Sequence, residues 1–167
     1  MTEQVNQNAA LEQKIKAGRH TLILLVILTA WNIYSLLEGQ GEYLLFSAAV
    51  PYYLTLFGFS MDGGVPARFT MIALALAAVI LTLYLLCWGL SQKRRGWLVA
   101  GLVLVIFDTL VMLALQLLPG AFQIVDLFFH AIAIGELVIA INADGKLRWQ
   151  TSPDRWDPGD IPTNYHP

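Results

Sequence analysis

WLVAGLVLVIFDTLVMLALQLL, residues 97 to 118, places one ionisable side chain, Asp108, near the middle of an otherwise almost wholly apolar run. The next run, IVDLFFHAIAIGELVIAI at 124 to 141, carries three more: Asp126, His130 and Glu136. A helix rises ~1.5 Å per residue, so about twenty residues cross a hydrocarbon core ~30 Å thick, and both runs are long enough. Each charge near the centre costs roughly 2.5 to 3.5 kcal/mol, against about -0.3 to -0.6 for each Leu, Ile, Phe or Val. The run from 121 to 142 is therefore close to break-even as an isolated span. Its acids and imidazole must face a bundle interior, where they pair, titrate or bind something.

Two further runs complete the membrane part. His20 to Leu37 follows a basic flank; it is longer than a signal-peptide apolar core and has no small-residue cleavage site beside it, so it reads as an uncleaved anchor. Residues 69 to 90, FTMIALALAAVILTLYLLCWGL, form the second span. The expected fold is all-α: a four-helix transmembrane bundle over 20 to 142, a polar tail at 1 to 19 that can form a surface helix, and a weakly ordered tail at 143 to 167.

Composition agrees with a bilayer protein: 57% hydrophobic residues, 13% charged residues and a mean hydropathy of +0.61. A formal net charge of -2 and a pI near 5.8 leave no basic stripe for nucleic acid, so the expected partners are the lipid bilayer and a second copy or a membrane partner protein. The single cysteine, Cys87, lies within a span and excludes an internal disulfide or a CxxC motif.

Nine of the ten Lys and Arg residues fall at the N terminus, in the Lys93-Arg94-Arg95 turn or after the fourth span; only Arg68 lies on the other side. By the positive-inside rule both termini are cytoplasmic, and the 38 to 68 loop and the Leu118-Pro119-Gly120 turn are external. The short connections make the second, third and fourth spans antiparallel neighbours. The loop centre, LLFSAAVPYYLTLFGF, is apolar and aromatic but too short to cross, which suits an interfacial or re-entrant segment.

Asp108 and His130 fall at matching depth, and Asp126 lies one turn from His130 on the same helix face. Asn32 and Ser35 in the outer half of the first span complete a candidate ligand or ion site of Asp108, Asp126, His130, Asn32 and Ser35. Glu136 points elsewhere and needs another partner, with Tyr84, Thr82 or water within reach. Glu38 and Glu42 form a mildly cation-attracting external entrance, or are solvated loop charges. Ala73 and Ala77, and Ala131 and Gly135, have the small-xxx-small spacing that lets helices approach closely.

Three roles stay open for the cluster: a structural hydrogen-bonded pair that fixes helix register, a proton or cation site for transport or sensing, and an organic-ligand site. Carboxylates with an imidazole can bind a transition metal, but no HExxH accompanies them, and the sequence leaves both metal and cofactor unknown. GxSxG, Walker A and GxGxxG patterns are also missing, so a non-enzymatic role is expected, with a membrane scaffold or accessory subunit as the alternative to transport.

LFSAAVPYYL, IFDTL and DLFFHAIAIGELVIAI resemble segments of small four-span bacterial membrane proteins of uncharacterised function. Those share a Pro-Tyr-Tyr loop, an Asp-Thr in span three and an Asp-x-x-x-His in span four. The resemblance implies a bacterial plasma membrane location, and that Pro51, Tyr52, Tyr53, Asp108, Thr109, Asp126 and His130 belong together. Glu136 is outside that pattern.

Overall fold

The computed structural model describes residues 2–39, 44, 46–116 and 124–151. Five helices and no strand occur among them: α1 (Thr2–Leu37), α2 (Ala49–Met61), α3 (Arg68–Leu90), α4 (Gly96–Gln116) and α5 (Ile124–Thr151). α1, α3, α4 and α5 are long and apolar enough to cross a membrane. Glu42, the Leu118-Pro119-Gly120 turn and the chain from 152 onward lie outside the described residues.

The surface of the bundle is greasy, and its interior holds a set of polar side chains beside a hydrophobic core. Val79, Phe107, Leu110 and Phe128 are exposed, while Thr29, Asn32, Asp108, Asp126 and His130 are buried. In water this would expose far too much apolar area; in hydrocarbon, where helices satisfy their own backbone groups, it is the stable arrangement. The four long helices and this distribution fit a multi-pass integral membrane protein.

α3, α4 and α5 pack in series as neighbours, and α1 closes the group by lying along both α5 and α3. The turn from α3 to α4 is tight: the Lys93 and Arg94 amides donate to the Leu90 carbonyl, and the Trp97 amide donates to that of Arg94.

Both tails depart from expectation. The polar N-terminal residues are the first half of a 36-residue α1, roughly 54 Å long, rather than a separate surface helix. α5 likewise runs on to Thr151 instead of ending near 142 in weakly ordered chain. Each extension supports the other, because α1 and α5 run antiparallel and Leu11 and Ile15 pack with Ala143 and Leu147. The two helices come closest where Gly18 meets Ala140; a Cβ on Gly18 would collide with the Ala140 methyl and lie 3.2 Å from the Glu136 carbonyl. Gly145 does not break α5, since the Arg95 guanidinium lies over it and the Asp144–Arg148 pair, 2.8 Å apart, brackets it.

The small-residue contacts are correspondingly not those of the spacing argument in α5. Ala131 is exposed and a Cβ on Gly135 would meet nothing within 4 Å. The buried stripe is Asp126, His130, Ala133, Leu137, Ala140 and Asp144, spaced three and four apart, which turns Ala131 and Gly135 away from it. In α3, Ala73 and Ala77 are buried as expected, and Ala73 receives Gly58 of α2.

α2 is the element that sets the site. It has 13 residues, roughly 20 Å, too short to cross. It lies along α3 and also reaches α1 and α4. Its first turn is buried beside the middle of α4, and its far end turns through Asp62 into α3. Of the residues just before it, 44 and 46–48 are described, and they are not helical.

Candidate functional site: a buried Asp–His pair under a half-length helix

Non-helical backbone inside an apolar bundle needs partners for every N–H and C=O, and α1 supplies several. The Asn32 amide acts as a substitute strand: its Oδ1 accepts from the Leu44 N–H at 2.7 Å and its Nδ2 donates to the Leu44 carbonyl at 2.8 Å. Nδ2 also donates to the Ser47 hydroxyl at 2.9 Å. Thr29 Oγ1 donates to the Leu25 carbonyl and accepts from the Ala48 N–H at 2.7 Å. Phe46 takes a positive φ of 66° shortly before α2.

The first amides of α2 then point at α4. Ala49 N–H donates to Asp108 Oδ2 at 2.7 Å and Val50 N–H to Oδ1 at 2.8 Å. Ala48, which precedes the helix, has no side chain to cap it, so the cap comes from a carboxylate 59 residues later. A helix N terminus carries partial positive charge and unsatisfied N–H groups, so an anion there is favoured twice over. Pro51 follows at a position where its missing N–H costs nothing.

His130 completes the arrangement. Its Nε2 lies 3.2 Å from Asp108 Oδ2 and its Nδ1 lies 3.0 Å from the Asp126 carbonyl one turn back. The two side chains are almost completely buried, at 1% exposure for His130 and 4% for Asp108. A carbonyl only accepts, so Nδ1 must carry hydrogen. One further proton must then lie between Nε2 and Oδ2, on the ring or on the acid. In either form the pair is neutral as a unit, which is how a bundle interior tolerates it. Removing that proton would set a ring lone pair against a carboxylate.

Of the five expected site residues, the structure joins Asp108 directly to His130, and Asp126 through its backbone carbonyl. The Asp126 side chain is buried, with Tyr53 of α2 in its electrostatic neighbourhood. Asn32 is not part of this group, since its whole amide is spent on the Leu44 and Ser47 segment. Ser35 is buried with its hydroxyl making no hydrogen bond among the described residues. Glu38 is exposed at the end of α1. The partners expected for Glu136 are otherwise engaged or silent: Thr82 donates to Ala78, and the buried Tyr84 hydroxyl has no hydrogen-bond partner among the described residues.

Two contributors escaped the reading of the chain, Thr29 and the amides of Ala49 and Val50. Thr29 is one of three mid-span threonines, with Thr82 and Thr109, and backbone donors leave no trace in side-chain pattern. Among the described residues no group of three His, Cys, Asp or Glu stands close enough to hold a metal ion. In comparisons with known proteins, no family model matches the chain, and neither does any curated protein or solved structure.

Proposed function

We propose that this protein is a proton-responsive membrane module, in which the Asp108–His130 pair holds one exchangeable proton and couples its presence to the contact between α5 and α4, the helix that caps α2. The observation that supports this reading is that Asp108 Oδ2 faces the imidazole Nε2 and the Ala49 N–H at once. The same oxygen therefore feels both the proton and the helix start. With the proton in place, His130 and the α2 amides share a neutral, fully bonded site. Without it, the carboxylate keeps its grip on α2 and repels the ring, so the contact between α4 and α5 loosens. Other titratable groups around the pair are Tyr84 on α3, Asp126 on α5 and, near Asp126, Tyr53 on α2.

Both termini lie on the cytoplasmic side in this reading, which makes α2 a re-entrant segment entering from outside. Sensing accounts for the geometry more economically than transport. Asp108 is committed to protein donors on both oxygens, and four spans are few for a carrier unless a second copy completes the path. The same commitment favours a second reading, a scaffold or accessory subunit in which the pair only fixes helix register.

Hydrogen exchange of the full chain in lipid nanodiscs separates the two. The proton-responsive reading expects protection, which is exchange corrected for its intrinsic pH dependence, to change along a single titration at the start of α2 or across the α4–α5 contact. His130→Gln, which can still donate to Asp108, should abolish that titration. Protection that stays flat with pH in the parent chain rejects it and leaves the scaffold.

A further inference from the structure

At the other end of the bundle a cleft of about 430 Å³ opens between α1 and α5 beside the end of α3. Its polar lining includes Asn8, Glu12, Lys16 and Arg19 from α1 and Asp144 and Arg148 from α5. Asp144 is taken by Arg148 at 2.8 Å, and the Arg19 guanidinium is anchored through Nη2 to the Ser91 carbonyl at 2.8 Å. The remaining features are unusual for a solvated groove. Arg19 Nε and Asn8 Oδ1 are both buried and have no hydrogen-bond partner among the described residues. A buried donor and a buried acceptor left open in one cleft call for a ligand that can both accept and donate.

The level of the cleft narrows the chemistry. Arg19 immediately precedes the apolar run of α1, and Ser91 closes the apolar run of α3, so the guanidinium stands where hydrocarbon gives way to headgroups whichever side is cytoplasmic. We propose that this cleft binds the phosphate ester of a glycerophospholipid headgroup, with Lys16 and Arg19 on the phosphate and Asn8 and Glu12 on the headgroup's hydroxyl or ammonium. Charge-assisted bonds from a guanidinium to phosphate oxygens are strong and directional, and basic pockets between membrane helices at this depth suit lipid headgroups. Three cations against two acids leave a net positive lining, enough to favour a phosphate without requiring a multiply charged one. A soluble phosphate ester would present the same group.

The test uses the full chain in detergent, with native mass spectrometry to count bound phosphatidylglycerol. One lipid retained per chain is expected. Lys16→Gln, an exposed change that leaves the helix intact, should weaken retention roughly fivefold, and Arg19→Gln at least as much. Lys93→Gln, which removes the same charge from the turn outside the cleft, should leave it unchanged. Glycerol 3-phosphate distinguishes the source: displacement of the lipid at millimolar concentration assigns the site to a soluble ester, and no displacement assigns it to the bilayer. Lys16→Gln retaining lipid like the parent chain, or Lys93→Gln losing as much as Lys16→Gln, overturns the proposal. Neither result bears on the Asp108–His130 pair, which lies in another part of the bundle.

Discussion

Asp108 performs two tasks with two oxygens where water is scarce: it caps a helix from another part of the chain and pairs with His130. Replacing it by Asn leaves one oxygen to accept and turns an N–H₂ towards donors, so Asp108→Asn should cost about 3 kcal/mol, seen as a lowered thermal midpoint in detergent. A midpoint within a degree of the parent would mean that the α2 amides find other partners. Asn32→Leu should cost about 2 kcal/mol by orphaning the Leu44 N–H and carbonyl, measured in the same way. The matched depths of Asp108 and His130 could be read from the chain because a helix converts residue count into height. The duty of Asn32 could not, since its target is backbone in a segment without periodicity. A polar side chain in a span announces that a partner exists, but not which atoms it will meet.

At the scale of elements, α2 is held at both ends by aspartates. Asp62 closes its C-terminal turn and caps α3, accepting from the amides of Ala67, Phe69 and Thr70 and from the Thr70 hydroxyl. Partial desolvation pushes its carboxyl up, but the bonds from Thr70, Phe69 and Ala67 outweigh this and hold it below the ordinary carboxylate value of 3.8. Its contribution is therefore complete above that value and is lost as pH falls through the lower folded one. Asp62→Ala should flatten the acid limb of the stability profile below the ordinary carboxylate range, and an unchanged limb would assign acid loss to other groups. Gly58 gives α2 its seat on α3: a Cβ there would lie 2.7 Å from Ala73 Cβ and 2.8 Å from the Phe69 carbonyl. Gly58→Leu should cost about 1 to 3 kcal/mol and raise protease sensitivity around α2. Ala73 was recognisable by its spacing with Ala77, but Gly58 lay in a stretch whose helix the proline obscured.

For the whole molecule the charge census proposes an orientation, and that orientation is open to a direct check. Single cysteines at Lys14, Lys93 and Lys146 should react with an impermeant maleimide from one face of the membrane, and one at Glu38 from the opposite face, in a background where the buried Cys87 is replaced by Ala. Labelling of the Lys93 and Glu38 positions from the same face would require an even number of crossings between them and overturn the four-span arrangement. The number of spans was legible because hydrocarbon thickness imposes a length. The reach of α1 and α5 beyond the apolar runs was not, because two polar helices that steady one another show themselves only in pairs: Leu11 and Ile15 mean little without Ala143 and Leu147.

The partner for the first amides of α2 lies 59 residues downstream, and this has a bearing on biogenesis. A ribosome delivers Ala49 and Val50 well before Asp108, so the nascent half-helix has no carboxylate to rest on while α3 is being inserted. Its seating must await the arrival of α4, and the imidazole of α5 comes later still. Truncated chains ending before α4 should accordingly insert α1 and α3 yet leave Tyr52 and Tyr53 open to protease, with protection appearing only once Asp108 has entered the bilayer.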